Sequence, residues 1–194
     1  MIEAAIGLRA HTGWAALVVI GRAPSALIDC RRLELLPPGV PDQLYHAAAE
    51  RELEASAELV AKTVAAVDAF VERMLRKVVD EQRARARNIV ACGMIGTPRE
   101  SPALSAILAS HARIHAAEGD MFRNALAAAA RAACVPLIAV PEKDAASETA
   151  HALHINSASL ERRITEIGHL ASPPWRADQK LASMAAMLAL ARTA

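Results

Sequence analysis

The spacing of the first three apolar runs constrains the fold more than any other feature of the chain. Residues 2–8, 14–20 and 26–36 read as strands, separated only by Arg9-Ala10-His11-Thr12-Gly13 and Gly21-Arg22-Ala23-Pro24-Ser25. A parallel pair needs a crossover of roughly a dozen residues or more. Connectors this short therefore predict an antiparallel meander, which Pro37, Pro38, Gly39 and Pro41 end. With 54% hydrophobic residues but only 3% aromatic, the core behind these strands must be built from Ala, Leu, Val and Ile.

Residues 42–85 contain neither Gly nor Pro, and Val60, Val64, Val67, Val71, Leu75 and Val78 recur at the spacing of an amphipathic helix. A helix of about 40 residues would run about 60 Å and overhang one domain, so a kink or a projecting end for a second copy is expected. The run NIVACGMI at 88–95 reads as a buried strand. Ser101 as cap and Pro102 as first residue open a helix that reaches Ala133, broken near Gly119. VPLIAV at 135–140 is a further buried strand. Helices then follow at 160–170 and 177–192, parted by Ser172-Pro173-Pro174. Strand–helix–strand crossovers are right-handed and cover the sheet they connect. The order predicts an α/β domain spanning 1–194, with a mixed five-stranded sheet of three antiparallel and two parallel strands flanked by helices.

Charge and motifs exclude several classes. The net charge of +1 is short of the strongly basic balance of a dedicated nucleic-acid binder, although a local basic patch is compatible with it. Arg greatly outnumbers Lys and Ala is abundant, a bias typical of a GC-rich bacterial genome and without functional weight. Cys30, Cys92 and Cys134 form no CxxC pair and lie in or beside apolar runs, as buried free thiols of a reducing cytosol would. The start of the chain lacks the basic region of a signal peptide. No apolar stretch reaches the roughly 18 residues of a membrane span, so a cytoplasmic location is expected. There is no P-loop, no GxGxxG after a strand and no GxSxG before a helix.

Two segments carry a family resemblance. IGLRAHTGWAALVVI at 6–20 is similar to the opening of RuvC-type Holliday-junction resolvases, where a strand bearing Asp passes through a Gly-containing turn into the second strand. PPWRADQKLASMAAMLALA at 173–191 is similar to their closing helix, which opens on a catalytic Asp. The resemblance implies a ribonuclease H-like fold. In that family, carboxylates converge at the centre of the sheet to hold two divalent metals for phosphodiester cleavage. Residue by residue, only Asp178 matches. The first-strand acid is replaced by Leu8 or Arg9, and at the fourth strand Cys92-Gly93-Met94-Ile95-Gly96 stands where an acid is wanted. Asp178 should point from the first turn of the last helix toward the sheet.

Other candidates come from the residues alone. His111, His115 and Glu118 fall at i, i+4 and i+7, in line with Leu104, Leu108, Phe122 and Leu126. Two imidazoles one turn apart plus a carboxylate can ligate a divalent metal, and they can equally line a hydrogen-bonded polar gap. If Gly119 breaks the helix, Glu118 becomes a turn residue. His11 and Thr12 sit in the first hairpin turn, where a hydroxyl and backbone amides can approach phosphate. Trp175, Arg176 and Lys180, near Asp178, offer a stacking surface and cations, or a simple anchor for the helix.

Three functional expectations follow. The leading one is a degenerate, non-nuclease ribonuclease H-like protein that binds nucleic acid or a phosphate-bearing ligand through Arg9, Thr12, Asp178 and Lys180, with a positive patch at the cleft. The second is a small metal-dependent hydrolase in which His111, His115 and Glu118 converge with Asp178. The third is a structural or regulatory homodimer formed through the long helix.

Overall fold

The computed structural model describes residues 1–22, 26–172 and 174–193. Residues 23–25 of the second expected turn and Pro173 of the expected helix break lie outside the described residues. Strands β1 (Ile2–His11), β2 (Trp14–Gly21) and β3 (Leu27–Glu34) form the antiparallel meander. Strand β4 (Arg87–Ile95) adds parallel to β1, and β5 (Leu137–Val140) adds parallel to β4, giving the order β3-β2-β1-β4-β5. The expected mixed sheet is therefore present.

Strand β1 extends further than the apolar run suggests. His11 pairs with Trp14 across the two-residue turn Thr12-Gly13, with Gly13 at φ +78°. Arg9, Ala10 and His11, expected in a connector, are thus strand residues. By the alternation of a strand, Arg9 and His11 share one face with Ala5 and Gly7.

Both faces of the sheet are covered, which is why its central strands read as unbroken apolar runs. On one face, Ala4, Ile6, Leu8, Leu17, Val19 and Met94 pack with α1 (Leu44–Ala49), α2 (Leu53–Ala84), α3 (Leu104–Leu108) and α4 (His111–Ala132). The other face takes α5 (Ala145–Ala152), α6 (Ser157–Leu170) and α7 (Ala177–Arg192). Helix α7 lies directly on β1, β4 and β2 through Ala182, Ala185, Ala186 and Ala189. Gly7 and Gly93 are register partners on β1 and β4. A Cβ on either would strike the α7 backbone at Ala182 or Ala185. These strand glycines mark a close backbone approach, as glycine in a strand often does.

Three further expectations need correction. The run 42–85 is two helices, parted at Glu50-Arg51-Glu52. The Ser56 hydroxyl donates to the Ala48 carbonyl at 2.6 Å, so the end of α1 is tied to the first turn of α2. The apolar stripe Val67, Val71, Leu75 and Val78 is buried against α4 and the sheet. The second run breaks at Ala109-Ser110, where Ser110 is extended, and α4 then continues unbroken through Gly119. Finally, Cys92 is buried and Cys30 partly so, but Cys134 is exposed beyond the end of α4, at φ 55°. No helix among the described residues is long and apolar enough to cross a membrane.

Candidate functional site

In open sheets with parallel strands, ligands bind beyond the carboxyl ends of the strands, where the connections diverge. Here β1, β4 and β5 end together over a cavity of about 430 Å³ lined by Arg9, Thr97, Arg99, Arg123, Glu142 and Lys143, with Gly96 at its floor. Four cationic side chains face one carboxylate, so the cavity is positive and suited to an anion.

Each cation is placed by a local feature. Arg9 comes from β1, pairs with Glu142 at 2.7 Å and keeps a buried Nε that has no partner. Arg123 passes between two glycines: a Cβ at Gly96 would lie 3.0 Å from its Cδ, and one at Gly119 would lie 3.2 Å from its guanidinium nitrogens. Asp120 holds that guanidinium at 2.6 Å. The loop bearing Arg99 is pinned to α4, because the Arg99 amide donates to Asn124 Oδ1 at 3.1 Å and Asn124 Nδ2 donates back to its carbonyl at 2.8 Å. Gly96, at φ +85°, makes the turn that brings this loop over the strand ends.

Beside the cavity, Asp178 projects from the first turn of α7, and His11 Nε2 lies 2.9 Å from its Oδ1. Gln179 caps this helix, its side chain accepting from the Arg176 amide at 2.9 Å. The His11 ring stacks on Trp14 with centroids 4.4 Å apart, and Arg32 covers the Trp14 ring at 4.5 Å. The other expected residues are not gathered here. Thr12 is exposed at the hairpin tip. Trp175 packs into the cluster of Leu160, Ile164 and Ile167 with its Nε1 buried, which is the anchoring role. Lys180 is exposed and lines a separate cavity with Glu161 and Thr165.

The residues at this end of the sheet do not fit a two-metal carboxylate cage. Asp178 is engaged by His11 and Glu142 by Arg9, and among the described residues no three donor atoms of His, Cys, Asp or Glu converge there.

The histidine cluster lies elsewhere. His111 and His115 are on α4, across the sheet from Asp178 on α7, so the expected convergence of these groups does not occur. Both histidines are exposed, not set in an apolar stripe, and their Nε2 atoms are 2.9 Å apart. A third ring, His46 of α1, meets them edge-on with centroids 4.7 Å from His115 and 5.3 Å from His111. One nitrogen from each of the three lies within 4.8 Å of the others.

Glu118 stays helical and turns inward, its side chain 5% exposed. Its Oε1 accepts from the Tyr45 amide at 2.7 Å and the His46 amide at 3.4 Å, and lies 3.5 Å from His46 Nδ1. Burial raises the Glu118 carboxyl above its ordinary pKa, opposed by these two amides and by the His46 ring. Glu118→Ala is expected to cost about 1–3 kcal/mol in chemical denaturation, since it strands the Tyr45 amide, while Glu118→Gln, which keeps an acceptor, should cost less. Equal stabilities of the two variants would show that this bond does not hold α1.

A mixed sheet of this order between two helical layers is the ribonuclease H-like fold. Two solved structures share it over nearly the whole chain. Thermus thermophilus RuvC in complex with a Holliday junction substrate superposes with a TM-score of 0.55 at 15% identity, covering 96% of this chain and 91% of that one. A second Thermus thermophilus RuvC structure gives 0.50 at 15% identity, covering 97% and 92%. At this identity the likeness is one of fold. No protein-family model and no curated protein matches the chain.

Proposed function

We propose that this chain is a cytoplasmic, non-nuclease ribonuclease H-like protein that binds nucleic acid through the cationic cleft at the carboxyl ends of β1, β4 and β5. The observation that carries the reading is the charge of that cleft. Arg9 is one of the two residues, with Leu8, at which the resemblance to RuvC-type resolvases expects an acid, and Arg99, Arg123 and Lys143 surround the same cavity. A guanidinium presents paired donors that match phosphate oxygens. The neutral whole-chain charge is no obstacle, because a local patch sets the field at the cleft. The RuvC that shares the fold is bound to a branched DNA substrate, and branched DNA is therefore the first ligand to try.

Fluorescence anisotropy with a labelled four-way junction, a duplex and a single strand tests the reading. Binding should weaken steeply with salt, and Arg99→Ala and Lys143→Ala should each lower the salt slope by about one. Arg123→Ala, which removes a charge-assisted contact, should weaken binding by about tenfold or more. No strand scission should accompany binding when Mg²⁺ or Mn²⁺ is added. Absence of binding to all three DNAs at low salt would overturn the proposal, and metal-dependent cleavage would overturn its non-nuclease part.

A further inference from the structure

His46, His111 and His115 present three ring nitrogens to one point at the protein surface, and nothing in the cleft reading uses them. They are supplied by two helices that are distant in sequence. His111 and His115 sit one turn apart on α4, and α1 brings His46 against them. We infer that these three imidazoles form a binding site for a single zinc-class divalent metal ion.

The donor chemistry selects the class of ion. Neutral imidazoles suit Zn²⁺, Co²⁺, Ni²⁺ or Cu²⁺, whereas Mg²⁺ and Ca²⁺ require oxygen ligands. Metal–nitrogen bonds of about 2.0–2.1 Å place tetrahedral ligand atoms a little over 3 Å apart. The three nitrogens already lie within 4.8 Å of one another, with the closest pair at 2.9 Å, so small ring rotations suffice. Because His111 and His115 are exposed, the remaining coordination position opens to solvent and accepts water or an exogenous ligand.

Glu118 supplies the second, independent observation. Its Oε1 lies 3.5 Å from His46 Nδ1, a buried nitrogen that has no hydrogen-bond partner, so a small shift of the ring would close that contact, place the proton on Nδ1 and leave Nε2 as the ligand. Its Oε2 is buried without any partner. A buried carboxylate with an unsatisfied oxygen is costly, and a dication on the far side of the His46 ring offsets that cost. Glu118 is thus a positioning residue and not itself a ligand. The site also shares no residue with the cationic cleft, which none of His46, His111, His115 and Glu118 lines.

The test uses the full chain stripped of metal by chelator and titrated with Co²⁺ alone, then with Zn²⁺ in competition. The expected result is one Co²⁺ per chain with the intense visible bands of a four- or five-coordinate nitrogen site, displacement by Zn²⁺, and a rise in melting temperature on metal addition. His111→Gln and His115→Gln, both at the surface, should abolish the spectrum while leaving the circular dichroism unchanged. His46→Gln should do the same, and Glu118→Gln should weaken metal binding by about 10–100-fold. His169→Gln, on the opposite helical layer, should change nothing. A featureless titration overturns the site, and so does Co²⁺ binding of unchanged affinity in His46→Gln, which would leave only the α4 pair. DNA binding by the cleft is read independently, so its failure does not touch this result.

Discussion

Gly93→Ala is expected to destabilise the protein by about 3 kcal/mol or more, at or beyond the upper end of the usual range for overpacking a filled site. The added Cβ would meet the Ala185 carbonyl and Cα, backbone atoms of α7 that no side-chain rotation can move aside. Gly7→Ala meets the Ala182 carbonyl and the Ala186 nitrogen in the same way. At about 2–4 °C per kcal/mol for a chain of this size, the melting temperature should fall by about 6–12 °C. Gly39→Ala is the control. Gly39 has a positive φ but no atom within 4 Å, so only the conformational cost of about 1 kcal/mol applies. A Gly93→Ala protein that melts with the wild type would mean that α7 does not rest on the strands. The position of Asp178 would then need another explanation.

Phe122→Ala should be comparably severe, at about 3–5 kcal/mol. Phe122 is fully buried on the inner face of α4, in the cluster formed with β1, β4 and α2. Phe122 is the largest of the fully buried side chains, so its removal leaves a void that close-packed neighbours fill only in part. Denaturant unfolding should show a lower midpoint with an unchanged slope. Because Phe122 immediately precedes Arg123, loss of DNA affinity in this variant would report loss of fold and not loss of a contact. An unchanged midpoint would rule out the packing described for α4.

The sheet was legible in the sequence because its signals are local. Short connectors force β1, β2 and β3 to be antiparallel, and the apolar runs of β4 and β5 admit no exposed face. The long helical run was expected to kink or overhang, and it does break, but the place of the break is not set locally. Glu50-Arg51-Glu52 are acceptable helix residues, and the break is set by burial of Leu44, Tyr45 and Ala48 in a direction that α2 does not follow. Gly119 misled in the opposite sense. It reads as a helix breaker, yet it sits inside α4 and clears space for the Arg123 side chain.

The functional residues divide along the same line. Asp178 and Arg9 were visible because they lie in segments that resemble RuvC-type resolvases. His111 and His115 were visible because helical spacing pairs them. His46 was not, since nothing in the sequence links it to α4, 65 residues further on. Arg99, Arg123 and Lys143 come from a loop, a helix and a 3-10 turn, and only the closing together of three strand ends makes them neighbours.

The Arg9–Glu142 pair also offers a handle for redesign. With arginine at position 9, the mouth of the cleft attracts anions; Arg9→Asp would put two carboxylates face to face there, with Asp178 one strand step further along beside His11. Arg99, Arg123 and Lys143 would stay, so the exchange would give the pocket an acidic mouth beside a basic lining, set by one side chain.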